Sequence, residues 1–154
     1  MNQTRIRVGE ASFSVTKAHQ WLSENDADGA IVTFTGKVRN HNSGDSVATL
    51  TLEHYPSMTE KVLESIAAEA RLRWDLQRIV IIHRVGSLAA GEQIVFVGVS
   101  SAHRNSAFAG AEYIMDILKT RAPFWKRETT PQGDRWLDAK ESDQQAAKRW
   151  LASN

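Results

Sequence analysis

The chain has no cysteine, and only three prolines and nine glycines among its 154 residues. Without a thiol it can form no disulfide, zinc–thiolate site or iron–sulfur cluster, and no persulfide of its own. Any sulfur handled here must be carried by something else. No apolar run approaches the ~20 residues that a membrane span requires, and the opening MNQTRIRVGE lacks the apolar centre of a secretory signal. A cytoplasmic protein is expected. Glycine-rich nucleotide fingerprints and a Ser/His/Asp elbow are missing, and His19, His54 and His83 show no metal-ligand spacing, so neither a metal nor a cofactor is expected. Nineteen basic against eighteen acidic side chains leave a net charge of +1, which provides no global field toward DNA or an anionic membrane. Any basic site must be local.

What is present fits one globular domain over 1–154: 42% hydrophobic and 24% charged residues, with no repeat or Pro/Gly/Ser-rich linker to divide them. Arg5 to Val8 reads as a first strand, and Ser14 as the cap of a short helix through Trp21 and Leu22. AIVTFTGKVR after Gly29 and VATLTLEHY from Val47 are β-branched and aromatic runs joined by a polar loop with Asn42, Ser43, Gly44 and Asp45. After Pro56, Met58, Val62, Leu63, Ile66 and Ala70 fall at helical spacing, ending near Trp74. RIVIIHRVG from Arg78 and EQIVFVGVS from Glu92 follow as buried strands about a turn at Gly91. Ser100 or Ser101 then caps a long helix with the apolar face Ala107, Phe108, Ala111, Ile114, Met115 and Leu118, stopped by Pro123. FWKRETT, PQGD and RWLDA predict a hairpin with a polar tail. Strands and helices in this order, without regular βαβ alternation, indicate an α+β fold.

Three segments hold candidate chemistry. In LKTRAPFWKRE the cations Lys119, Arg121, Lys126 and Arg127 occur before any acid, at Glu128. They fit a solvated helix end matched to the helix dipole. They also fit a site, because Lys119 follows Met115 by four positions, so its stem lies beside the apolar stripe. Partial desolvation among cations would favour a neutral amine able to act as base or nucleophile. In SSAHRNSAF, His103 and Arg104 sit at a helix N-terminus that favours an anion, although a surface histidine and a solvated arginine fit as well. In TGKVRNHNSGD, Lys37 and Arg39 alternate along a strand and face one side, toward a ligand or toward solvent. Trp125 suits a flat ligand or an apolar anchor.

Together VTFTGKVRNHNSGDSV, LTLEHYPSM, IHRVGSLAAGE, SSAHRNSAF and LKTRAPFWKRE, in this order, closely resemble the large, catalytic subunit of molybdopterin synthase, the MoaE family. The likeness covers nearly the whole chain. It implies an α/β hammerhead-type fold with an additional antiparallel β-sheet, and a homodimer within a heterotetramer that adds two small ubiquitin-like sulfur-carrier subunits. The small subunit ends in Gly-Gly, and its thiocarboxylate passes sulfur to cyclic pyranopterin monophosphate, two transfers making the dithiolene of molybdopterin. The resemblance places catalytic lysines at Lys119 and Lys126, and a substrate pocket at Lys37, Val38, Arg39, His103, Arg104, Lys119, Lys126, Arg127 and Glu128. Lys140 stands where relatives place an arginine that reaches a neighbouring pocket; lysine keeps the charge without the bidentate fork. A chain without cysteine suits this chemistry, since the partner brings the sulfur. The rival reading is a non-catalytic module that holds a nucleotide, RNA or other phosphate with the same cations; it predicts steep salt dependence and indifference to a thiocarboxylated partner.

Overall fold

The computed structural model of the chain describes residues 2–42, 45–46, 49–137 and 141–151. Ser43, Gly44, Val47 and Ala48 of the expected loop and strand, and Asp138, Ala139 and Lys140 of the tail, lie outside the described residues. The elements run β1 (Gln3–Gly9), α1 (Val15–Leu22), β2 (Ala30–Lys37), β3 (His41–Asn42), β4 (Asp45–Ser46), β5 (Thr49–His54), α2 (Met58–Arg73), β6 (Arg78–Arg84), β7 (Gly86–Ala89), β8 (Gln93–Ser101), α3 (Arg104–Arg121), β9 (Phe124–Thr130), β10 (Gly133–Leu137) and α4 (Glu141–Lys148).

They form an α+β fold with two four-stranded sheets. The first has the order β1-β6-β8-β2, parallel between β1 and β6 and antiparallel elsewhere. Its strands β6 and β8 are the near-continuous apolar runs seen in the sequence, because both faces are covered. On one face α2 and α3 supply Leu63, Ile66, Ala70, Ala107, Ile114 and Leu118 against Ile79, Ile81, Val95, Val97 and Val99. On the other, α1 brings Trp21 and Leu22 to Phe13, Val80, Ile82 and Phe96. Ser14 caps α1 as expected, its hydroxyl accepting from the Lys17 amide at 3.1 Å.

The second sheet is the additional antiparallel one, β10-β9-β5-β7. A seam of Val38, Leu52, Val85 and Leu88, with Phe124 and Leu50 against it, belongs to residues from both sheets and the segments between them. The hairpin of β9 and β10 turns at Gly133, whose φ of 111° only glycine adopts without strain.

Several expectations change. The cap of α3 is His103, not Ser100 or Ser101. Both serines end β8 and are buried, Ser100 accepting from the Arg78 amide at 3.0 Å and Ser101 donating to the Asp75 carbonyl at 2.7 Å. Phe108 and Met58, assigned to apolar faces, are exposed. Strand β7 and helix α4 were not anticipated. α4 buries none of its own residues; the segment after it is held by Trp150, edge-on to Trp74 and Tyr113 and donating to Asp116 at 2.8 Å.

Gly98 shows how closely α1 sits on the sheet. A Cβ there would lie 2.5 Å from Leu22 Cδ1 and 3.0 Å from Phe96 Cε1, both fully buried side chains. Gly98→Ala is expected to cost ~1–3 kcal/mol through overpacking, read as a lower urea midpoint at unchanged slope. A midpoint equal to the parent's would mean that α1 rides loosely on β8.

Candidate active site

The segment from Leu118 to Glu128 forms the end of α3, a short connector and β9. The Ala122 amide still donates to the Leu118 carbonyl at 3.2 Å, Pro123 ends the helix, and the Phe124 amide turns back to the Ala122 carbonyl at 2.9 Å. Its four cations do not form one cluster. Arg121 is bound to α2, donating to both carboxylate oxygens of Glu69 at 3.0 and 2.7 Å. That hydrogen bond first, then the Arg121 charge, holds the Glu69 carboxyl below its ordinary range against the opposing effect of burial. Along β9, side chains alternate between the faces of the sheet. Lys126 and Glu128 share a face with Phe124, whereas Arg127 shares the opposite face with Trp125.

Arg127 therefore does not join Lys126 within this chain. It lies over the Trp136 ring at 5.6 Å and 3.9 Å from Asp134. Trp125 is on the same outer face, edge-on to Tyr55 at 4.5 Å, and Tyr55, Trp125 and Trp136 are all exposed. On the inner face Glu128 is buried and accepts from Arg135 at 3.0 Å.

Lys119 is exposed and Lys126 half-buried. The expectation that Lys119 is partly desolvated by its own chain is not met: Leu118 is buried and Met115 half-buried, but the amine's side of the helix is open. The charges of both lysines reach His83. Its ring is buried, its Nδ1 bonded to the Arg84 carbonyl at 2.8 Å and its face stacked on Phe124 at 4.0 Å. Burial pushes the imidazole down to about 3, against the upward pull of the Arg84 carbonyl; the charges of Lys126, Lys119 and His54 lower it further.

Lys37 and Arg39 are exposed on either side of buried Val38, whose amide and carbonyl are tied to Glu92 at 2.9 Å and Gly91 at 2.7 Å. Val38 and Phe124 belong to the same apolar seam. His103 and Arg104 are elsewhere. They line a polar hollow of about 390 Å³ with Gly29, Ala102 and Asn105 at the start of α3. Fifteen helical positions separate Arg104 from Lys119, roughly 22 Å along the axis at ~1.5 Å per residue. Among the described residues no group of three or more His, Asp or Glu could hold a metal ion.

The family model described as "MoaE protein" matches residues 8–121. The chain belongs to the MoaE family. Relatives named molybdopterin synthase catalytic subunit, from Salmonella typhimurium and Escherichia coli, are each 67% identical over 150 residues, 97% of this chain and all of theirs. The MoaE protein of Burkholderia ambifaria has a solved structure with a TM-score of 0.83 at 46% identity, spanning 98% of this chain and 100% of that one. The crystal structure of molybdopterin synthase from Staphylococcus aureus gives 0.80 at 31% identity, over 86% and 96%. In this MoaE-family chain the residues that reading the sequence passed over are His83, His54 and Phe124. His54 and His83 were weighed only as metal ligands, and Phe124 carried no chemistry to notice.

Neutral, buried His83 ties stability to pH. Its folded value lies below the ordinary 6.5, so the unfolded chain takes up a proton that the fold refuses. That stability is fully present above 6.5 and is lost as pH falls toward 3, at ~1.4 kcal/mol per unit. Between 6.5 and 4.5, above the range where Glu69 adds its own loss, the urea midpoint should fall more steeply for the parent than for His83→Phe. Parallel profiles would show that the ring protonates freely in the fold.

Proposed function

We propose that the chain is the catalytic subunit of a molybdopterin synthase, acting in the cytoplasm with a small ubiquitin-like sulfur carrier. The carrier's C-terminal thiocarboxylate supplies sulfur to cyclic pyranopterin monophosphate: the sulfur bonds to the pterin, and water then cleaves the carrier's acyl carbon–sulfur bond, so that after each transfer the carrier leaves as a carboxylate. What supports this reading is that Lys119 and Lys126 both bear electrostatically on one buried imidazole stacked on Phe124, in a cysteine-free chain whose 67%-identical relatives bear that enzyme's name. Lys119 acts at the sulfur-bearing carbonyl, by proton transfer or polarisation, and Lys126 offsets the charge that develops. Docking of the carrier's tail would supply the desolvation that Lys119 lacks in the isolated chain. Lys37 and Arg39 hold the anionic pterin from the adjacent strand end.

The roughly 22 Å between His103–Arg104 and Lys119 is too long for one small pterin to bridge. If both ends serve the substrate, His103 and Arg104 must serve the lysines of a second copy. That supports a homodimer within the heterotetramer, as do the exposed rings of Tyr55, Trp125 and Trp136 on the outer sheet face. Arg127, on that face, would join the pocket only in the same way. The rival phosphate-binding module does not account for the relatives' name.

Lys119→Ala should lower molybdopterin formation by ~100-fold or more while the carrier still binds, as expected for a group acting only in the transition state. Arg104→Ala should weaken precursor binding. Co-expressed, the two variants should regain turnover in mixed dimers that neither has alone, because one interface then holds both intact ends. A folded, carrier-binding Lys119→Ala chain with near-normal product would sink the catalytic assignment. Mixed dimers that stay inactive would sink the shared pocket.

A further inference from the structure

The connector between the two lysines is anchored at Phe124. Phe124 lies five residues after Lys119 and two before Lys126, and its ring is stacked on His83 at 4.0 Å with an interplanar angle of 24°. His83 comes from β6 in the first sheet, Phe124 from β9 in the second. Phe124 also meets His54 of β5, its direct partner in the strand register, 6.3 Å away ring to ring and tilted by 41°.

Both imidazoles are locked by their hydrogen bonds. The partner of His83 Nδ1 is the Arg84 carbonyl, which only accepts, so Nδ1 carries the proton. The hydroxyl of buried Thr59 donates its single proton to the Tyr55 carbonyl at 2.8 Å, so toward His54 Nδ1, 3.2 Å away, it accepts. Neither ring can turn without breaking a buried hydrogen bond. The His83–Phe124 stack, with His54 tilted against Phe124, thus forms a joint between the sheets, and in sequence Lys119 precedes it and Lys126 follows it.

We propose that His83 is a positioning residue of the sulfur-transfer site: by clamping Phe124 it fixes β9 against the end of α3, and so sets Lys126 relative to Lys119. The imidazole suits the position because it is flat enough to stack, binds the Arg84 carbonyl, and adds no third cation beside two lysines. This rests on the reading of Lys119 and Lys126 as the working pair, and two separate measurements distinguish its failure from that reading's.

The first measurement does not involve the reaction. With lysine side chains isotopically labelled, the Hε–Cε resonances of Lys119 and Lys126 should both move in His83→Ala and stay near the parent's in His83→Phe, which restores a ring against Phe124. Phe124→Leu keeps apolar volume without the stack, and should move the same two resonances even if His83→Ala fails to fold. The second measurement is turnover with thiocarboxylated carrier and precursor. The loss in His83→Ala should be ~10- to 100-fold in kcat, with KM for precursor and carrier affinity within about twofold, since misplacement by about an ångström costs rate before binding. His83→Phe should recover most of it. Lysine resonances unmoved in both His83→Ala and Phe124→Leu would overturn the proposal whatever the enzyme does, and so would a His83→Phe chain as slow as His83→Ala. A parent chain inactive in the assay, with the resonances moving as stated, would instead overturn the assignment of the lysines and leave the joint standing.

Discussion

The apolar seam of Val38, Leu52, Val85 and Leu88 joins the two sheets, and it constrains every polar group placed beside it. A charge cannot enter such a seam unpaired. Glu128 meets the condition through Arg135, and Arg84 meets it by donating to the carbonyls of Glu10 and Gln93 and to the Glu92 carboxylate. His83 meets it by staying neutral. Lys37, Arg39 and Lys119 avoid the condition by staying exposed to water.

The same geometry sorts the cations. Arg121 is held by Glu69 and ties α3 to α2, Arg127 belongs to the outer sheet face, and His103 with Arg104 belong to the far end of α3. Arg121 and Arg127 belong to one basic run in sequence and to different surfaces in the fold. A net charge of +1 therefore says little about local charge, since the cations are dispersed and several are paired with acids.

The helices and the two apolar central strands were legible because their periodicities reflect burial: Leu63, Ile66 and Ala70 on α2, and the unbroken runs of β6 and β8, covered on both faces. The cap of α3 was misread since Ser100 and Ser101 spend their hydroxyls on Arg78 and Asp75, a long-range use that no local pattern announces. α4 was missed because it buries none of its residues. At the site, the resemblance gathered Lys126, Arg127 and Glu128 as a consecutive set, although strand alternation alone separates the middle residue from its neighbours. The length of α3, equally readable, already parted Arg104 from Lys119. The joint at Phe124 was not readable at all, since two histidines and a phenylalanine some thirty to seventy positions apart meet only through the pairing of β5 with β9 and the approach of β6.

The strand order β1-β6-β8-β2 also fixes a sequence of events in time. The two outer strands are made first and the two inner ones later: Gln3 of β1 waits for Arg78, and Ala30 of β2 waits for Ser101. As the chain leaves the ribosome, β1 and β2 have no partner in their own sheet and do not pair with one another. Contacts of such sequence separation close slowly. Until β6 and β8 emerge, AIVTFTG is an unpaired apolar strand in water, the kind of segment that joins a neighbouring nascent chain if it is not shielded. A truncation before Ser101 takes from β2 the end of the strand it pairs with, and should yield not a smaller folded protein but an aggregating one.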